Sequence, residues 1–267
     1  MITYITSEVF LLGFVMVILN LLFAPLGCVT LWQRQSYFCE GLAHSCFLAS
    51  AISAITGIPI VITVLAVSMI LAFLLHYTKK NNKDNVIVNQ VIVNGMVALS
   101  IVLLQIASSK NAVNINNLFF GDILAVGKND IVIISILAVF IVGIIYCYLN
   151  HFILASFNYD LAFSRGLNPF AIELMLLISL SLVAAFTLKI VGTLLISALI
   201  VITPAIARLF SKTPRQMIAW AVCVGISTSL LSLVGAVILD VPPAALATLL
   251  QALIFIIATI ISNKRSV

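Results

Sequence analysis

Apolar residues fill nine long stretches of this chain, and short polar or turn-forming segments separate them. The breaks carry glycine, proline, asparagine or charge, as in Gly57-Ile58-Pro59 and Val241-Pro242-Pro243. A helix needs about 20 apolar residues to cross a bilayer. The pattern therefore predicts one all-α, polytopic membrane domain over residues 1–267, with about nine transmembrane helices. The stretches are 8–31, 42–56, 58–77, 86–107, 130–149, 170–188, 190–206, 216–238 and 243–261.

Two of these stretches, 42–56 and 190–206, are short for a full crossing. We interpret each as a broken or partly inserted helix of the kind that lines a polar cavity. The first stretch is too long for the apolar region of a signal peptide, and no small-residue cleavage site follows it. We therefore expect it to remain as a membrane span.

Composition and charge agree with a membrane protein. The chain is 63% hydrophobic and 8% charged, with a mean hydropathy of +1.28, whereas soluble domains average about 25% charged residues. If all nine stretches cross, ten basic residues fall on one face and three on the other, so the positive-inside rule places the N-terminus outside and the C-terminus in the cytoplasm. The ten are Arg34, Lys79, Lys80, Lys83, Arg165, Arg208, Lys212, Arg215, Lys264 and Arg265; the three are Lys110, Lys128 and Lys189.

Glu40 and His44 form the most informative pair in the chain. They lie four residues apart at the entrance of an apolar stretch, so on a helix their side chains share one face. A charge at such a position costs about 2.5–3.5 kcal/mol on insertion scales. A carboxylate and an imidazole at this spacing can hold a divalent cation. The alternative is structural: Glu40 caps the helix and His44 is a hydrogen-bonded core imidazole.

Other chemistry is sparse. Gly121 to Lys128 differs from a phosphate-binding loop in its glycine spacing, and Asn129 stands where that loop needs Ser or Thr. The five cysteines contain no CxxC pair, and we expect most to be buried free thiols. Glu173 is expected to complement a helix N-terminus, and Lys189 to extend to the outer interface. Residues 156–169 predict a short amphipathic helix that ends at Gly166.

Four elements in order resemble the permease subunits of metal-ion ABC importers, which bring in zinc, manganese or iron. The family usually has Gly-Asp where this chain has Cys39 and Glu40, so the acid is longer here and a thiol is added. The first element comprises Pro25-Leu26-Gly27, Trp32, Arg34, Ser36-Tyr37-Phe38, Glu40 and His44. The second runs from Leu118 to Val126, and the third is Asp160, Ala162 and Gly166. The fourth comprises Lys189-Ile190-Val191-Gly192, Pro204-Ala205, Arg208 and Thr213-Pro214.

The resemblance implies a compact helical fold related to the permeases for cobalamin and iron chelates. It implies a homodimer with a pathway between the two copies, in a bacterial inner membrane. A separate ABC ATPase would supply energy through a coupling helix that contains Asp160, Ala162 and Gly166. An extracytoplasmic metal-binding protein would deliver the ion. The chain would be no enzyme and would hold no permanent cofactor; Glu40 and His44 would contact the transported metal.

Zinc is the favoured cargo, since imidazole suits zinc whereas manganese prefers oxygen ligands, and Gly41-Leu42-Ala43-His44-Ser45 is closer to the zinc branch. Manganese or iron import is the alternative. A stand-alone secondary cation transporter is a further one, but it needs proton-relay carboxylates in several spans, and only Glu40 suits that role. A membrane enzyme is disfavoured because no catalytic constellation is visible.

Overall fold

Long α-helices make up most of the described chain. The computed structural model describes residues 2–81, 85–108, 119–121 and 126–265, with side chains for 11–78, 87–106, 119–121 and 126–261. Leu118 and Asp122 to Ala125, within the second family-like element, lie outside the described residues. The helices are α1 (Ile2–Trp32), α2 (Ser36–Thr56), α3 (Ile60–Asn81), α4 (Asn85–Ser108), α5 (Lys128–Phe157), α6 (Tyr159–Ser164), α7 (Pro169–Ser197), a π-helical turn (Ala198–Ile202), α8 (Thr203–Phe210), α9 (Pro214–Leu239) and α10 (Pro243–Arg265).

The described residues contain eight helical segments long and apolar enough to span a membrane. The expectation of a polytopic all-α protein with about nine spans is confirmed. The difference in count arises from the sixth and seventh stretches, which join into one segment, Pro169–Phe210, of 42 residues. A straight helix of that length would be roughly 60 Å long, about twice the hydrocarbon thickness of a bilayer.

This long segment is broken at Gly192, whose φ of 71° and ψ of 169° are not helical. Before the break, Lys189 lies 3.7 Å from Asp130 in the first turn of α5. After it, Arg208 lines a cavity together with Arg34 and Ser156, which follow α1 and end α5 respectively. The chain therefore reverses at Gly192 and crosses back, so the seventh stretch is a full crossing that starts at the break.

The second stretch is longer than its hydropathy suggested. We expected a short, broken or partly inserted helix over 42–56, but α2 is continuous from Ser36 to Thr56. Its first turns are polar because they face a cavity instead of lipid, and a hydropathy profile cannot separate those two situations. Gly57, in the left-handed conformation, ends the helix by donating its N–H to the Ser53 carbonyl.

Helices α1 and α7–α8 form the centre of the molecule. In the most apolar part of α1, and likewise of the segment Pro169–Phe210, 72% of the residues are buried. The corresponding share for α4 is 11%. Met16, Leu19, Leu22 and Phe23 of α1 are fully buried, and α1 packs against α5, α9 and the π-helical turn. Helix α2 packs between α3, α4 and α7. The peripheral helices expose aliphatic faces, as expected for surfaces in contact with lipid.

Buried polar side chains join neighbouring helices. Asn20 of α1 donates from Nδ2 to Ser229 Oγ of α9 at 2.9 Å and to the Met16 carbonyl at 2.8 Å. Gln251 of α10 donates to Thr228 Oγ1 of α9 at 3.1 Å. Hydrogen bonds of this kind stabilise the packing of membrane helices. They matter because an apolar side chain gains little by leaving lipid for the protein interior.

Candidate functional site

One cavity of about 420 Å³ lies between α2 and the segment that follows Gly192. Its first wall is one face of α2, with lining residues at the i, i+3, i+4 and i+7 positions of a helix. Its second wall belongs to the end of α7 and the π-helical turn. The α2 wall consists of Ser36, Tyr37, Glu40, Ala43, His44 and Phe47, and the opposite wall of Thr193, Leu194, Ser197, Ala198, Val201 and Ile202.

The structure brings Glu40 and His44 together on this cavity wall, as the four-residue spacing predicted. Glu40 is exposed and His44 half-buried, so neither is a packed core side chain. Glu40 is not the N-cap of α2, because that position is Gln35. These positions do not match the structural alternative of a helix cap with a core imidazole, and metal binding by the pair stays a prediction.

Phe119 closes one end of the cavity. Its ring lies 4.6 Å from that of Phe47, centroid to centroid, and Phe47 is one turn from His44. The backbone around Phe119 is held by two glycines with positive φ, Gly121 at 69° and Gly192 at 71°. A Cβ on Gly192 would lie 2.4 Å from Gly121 N and 2.5 Å from the Phe119 carbonyl oxygen. The break in the long helix and the closed end of the cavity are thus one structural unit.

The donor set in the cavity is small. Besides Glu40 and His44, the lining residues whose side chains carry an oxygen atom are Ser36, Tyr37, Thr193 and Ser197. Among the described residues there is no group of three or more His, Cys, Asp or Glu side chains. Cys39 and Cys46, which flank the pair in sequence, are buried and do not line the cavity. A divalent ion bound here would keep water ligands, which suits transient binding rather than a closed structural site.

The short helix α6 is built as the sequence predicted, at residues 159–164 within the expected range of 156–169. Asn158 caps its start, accepting hydrogen bonds from the N–H groups of Asp160 at 2.9 Å and Leu161 at 3.2 Å. Gly166, with a φ of 76°, ends it, and the Leu167 N–H bonds back to the Ala162 carbonyl at 3.0 Å. Those bonds form the Schellman arrangement, in which glycine is favoured. Asp160 thus lies in the first turn of this helix, Ala162 lies in its middle and accepts the closing hydrogen bond, and Gly166 follows its end.

Burial and exposure divide the side chains of α6. Ala162 is fully buried against the body of the protein, whereas the apolar side chains of Leu161 and Phe163 are 41% and 51% exposed. Phe157, just before the helix, is 88% exposed. An apolar face beside the basic end of the molecule, which carries Arg34 and Arg208, is typical of a surface that another protein covers.

The role of Glu173 differs from the one predicted from the sequence. Asn168 caps α7 by accepting from Phe170 N and Ala171 N, and Glu173 lies beyond the first turn. Its carboxylate instead accepts hydrogen bonds from Gln35 Nε2 and from the Tyr159 hydroxyl. The expectation that it complements the helix N-terminus is wrong, because Asn168 already fills that role.

Several residues of the site escaped sequence reasoning. Thr193 and Ser197 belong to a stretch that is apolar overall, and their hydroxyls carry no spacing signal. Gln35 and Tyr159 are 138 and 14 residues from Glu173, their shared partner. Pairings between helices at such separations leave no periodic trace in one sequence.

The comparisons with known proteins agree with this architecture. The model of the ABC 3 transport family matches residues 5–262. The chain is 32% identical over 228 residues to the high-affinity zinc uptake system membrane protein ZnuB of Buchnera aphidicola subsp. Acyrthosiphon pisum, covering 84% of this chain and 85% of that protein. It is 26% identical over 251 residues to the manganese import system permease protein ScaB of Streptococcus gordonii, covering 93% and 89%.

A solved structure has the same fold. PsaBC from Streptococcus pneumoniae in complex with Fab superposes with a TM-score of 0.79 at 23% identity, covering 92% of this chain and 89% of that one. The similarity to ZnuB and ScaB extends over most of each protein, and the family model covers nearly the whole chain. This chain belongs to the ABC 3 transport family.

Proposed function

We propose that this chain is the permease subunit of an ATP-driven importer of divalent metal ions, and that zinc is its cargo. The observation that carries the proposal is the cavity wall on which Glu40 and His44 lie together. A carboxylate and an imidazole, completed by water, bind a cation weakly enough to release it within a transport cycle. Structural zinc sites with full ligand sets bind with about 10–16 kcal/mol, too tightly for release.

Zinc is favoured by the imidazole of His44 and by the similarity to ZnuB. Manganese is the second candidate, because Thr193 and Ser197 on the opposite cavity wall carry hydroxyl oxygens and ScaB is also similar. The thiols of Cys39 and Cys46 add nothing to the argument for zinc, since neither lines the cavity.

The working assembly in this proposal contains two copies of the chain, an ABC ATPase at the inner face and an extracytoplasmic metal-binding protein. The cavity is open along one side of the single chain, and a second copy would complete its wall. The N-terminus would lie outside and the C-terminus in the cytoplasm of a bacterial cell. This orientation puts α6, Arg34 and Arg208 on the cytoplasmic face, where the positive-inside rule expects basic residues.

Transport itself gives the direct test. The permease, co-expressed with its ATPase and reconstituted into liposomes with the loaded binding protein, is expected to accumulate zinc only when ATP is present. Manganese in place of zinc tests the second cargo in the same assay. Accumulation by the permease alone, driven by a proton gradient, would contradict the proposal and identify a secondary transporter.

The proposed docking of the ATPase on α6 predicts a loss of assembly. Phe163→Asp, and Leu161→Asp, place a charge on the exposed apolar face of α6 and are expected to reduce the co-purified ATPase at least roughly tenfold, since a buried unpaired charge costs several kcal/mol. Ile58→Asp, a similarly exposed position in the α2–α3 turn at the opposite end, is the matched control. Equal ATPase recovery from all three variants would exclude α6 as the docking site.

A further inference from the structure

Glu173 joins two segments that are far apart in the sequence, at residues 35 and 159. Its side chain is only 2% exposed, and its two carboxylate oxygens accept from different donors. Oε1 accepts from Nε2 of Gln35, which precedes α2. Oε2 accepts from the Tyr159 hydroxyl at 2.9 Å, on the first residue of α6. One buried carboxylate thus connects the exposed short helix to the helix that carries Glu40 and His44.

The Gln35 end of this connection is attached to the cavity. Gln35 is the N-cap residue of α2, and its side chain makes no capping hydrogen bond. It is 8% exposed and bonds Glu173 instead. Ser36 and Tyr37, the next two residues, line the cavity. Because α2 is a continuous helix, a displacement of Gln35 also moves Glu40.

The Tyr159 end is attached to α6. Its ring packs against Phe170 with centroids 5.9 Å apart, so the hydroxyl is held toward Glu173. Burial, and the Glu173 carboxylate beside it, raise the pKa of Tyr159 above its usual value. The hydroxyl therefore stays protonated at physiological pH and remains a donor. Any shift of α6 changes the position of this donor relative to Glu173.

Burying the Glu173 carboxylate costs free energy, and we infer from this cost that the carboxylate has a role beyond joining helices. A buried carboxylate loses several kcal/mol of hydration and needs its hydrogen-bond donors in place. Networks of this kind are rigid when every member is satisfied and unstable when one is displaced. Movement at one end is therefore transmitted instead of being absorbed.

We propose that Tyr159, Glu173 and Gln35 form a mechanical relay that transmits displacement of α6 to α2 and so to the cavity wall. The three are positioning residues, since none of them lines the cavity. The inference rests on the proposed function, because it assumes that a partner ATPase moves α6. In this view ATP-driven motion reaches Glu40 and His44 through two hydrogen bonds to one carboxylate.

The decisive measurement is the number of zinc ions moved per ATP hydrolysed by the reconstituted complex. Gln35→Leu removes one hydrogen bond and Tyr159→Phe removes the other while keeping its ring. Each is expected to lower the ratio about fivefold, in the range of energetic coupling between linked sites. Because the relay fails when either bond is absent, the double variant is expected to fall no further. Tyr148→Phe, an exposed tyrosine on α5, is the control and is expected to keep the wild-type ratio.

Two outcomes overturn the relay. An unchanged ratio in both single variants would show that no coupling passes through Glu173. Losses that multiply in the double variant would show two independent structural defects. A fall in uptake that matches a fall in ATP hydrolysis leaves the ratio unchanged, so it counts against the relay as well.

A cargo-independent measurement separates this inference from the proposed function. With Tyr37→Cys introduced on the cavity face of α2, thiol labelling at that position in the ATPase complex is expected to change with ATP and vanadate. The additional Gln35→Leu substitution is expected to abolish that change. A wild-type complex that moves neither zinc nor manganese refutes the proposed function. Labelling at Tyr37→Cys that responds to ATP equally with and without Gln35→Leu refutes the relay.

Discussion

Replacing Glu40 by Gln and His44 by Ala together is expected to abolish growth on limiting zinc and uptake into liposomes. The two substitutions remove the carboxylate and the imidazole from the cavity wall while leaving the helix intact. Each alone is expected to reduce uptake at least about tenfold, because even outer-shell partners of metal ligands contribute about 10–100-fold. The complex with the ATPase is expected to assemble normally, since α6 lies at a different surface.

His76→Ala provides the matched control for this experiment. His76 also lies in a membrane helix, but its ring packs edge-on against Phe170 at 6.1 Å and it does not line the cavity. Its substitution is expected to retain uptake. Wild-type uptake by the Glu40→Gln/His44→Ala variant would show that the pair does not contact the transported ion. Failure of this variant to assemble with the ATPase would show that the pair has a structural role instead.

Gly192→Ala is expected to have the largest effect on stability. A left-handed backbone of this kind costs a non-glycine residue about 1–3 kcal/mol, and here the new Cβ would also meet backbone atoms of Gly121 at 2.4 Å. Backbone cannot yield as a flexible side chain does, so overpacking adds about 1–3 kcal/mol. The temperature at which the detergent-solubilised protein loses its monodisperse peak is expected to fall by roughly 10 °C.

Gly143→Ala adds the same methyl group where nothing lies within 4 Å of the new Cβ. Gly143 is inside α5, where alanine is favoured over glycine by about 1 kcal/mol, so this control is expected to be neutral or slightly stabilising. Equal thermal behaviour of the Gly192→Ala and Gly143→Ala proteins would mean that the break at Gly192 is not constrained by Gly121.

The sequence was sufficient for the helical framework and for the principal pair. Apolar runs located the spans because a helix must be apolar over its lipid-facing length, and the four-residue spacing placed Glu40 and His44 on one face. The start of α2 was predicted six residues too late, since Ser36 to Gly41 include polar residues that face a cavity. The break at Gly192 was placed near Lys189, because a charge interrupts a hydropathy profile and a glycine does not.

The opposite wall and the buried carboxylate required coordinates. Thr193 and Ser197 come near Glu40 only because the chain reverses at Gly192 and returns antiparallel to α2. Glu173 was assigned to a helix N-terminus on local grounds, and that assignment failed because Asn168 was the stronger local candidate. Its partners lie in segments that a single sequence cannot bring together.

The π-helical turn Ala198–Ile202 has a consequence for how this protein tolerates change. Within it the Thr203 N–H donates to the Ala198 carbonyl, five residues back instead of four. The cavity-lining positions before and within this turn are spaced four residues apart, at 193, 197 and 201 and at 194, 198 and 202. Removing one residue would turn the following part of the helix by about 100°. The number of residues in this turn, as well as their identity, thus decides which side chains line the cavity.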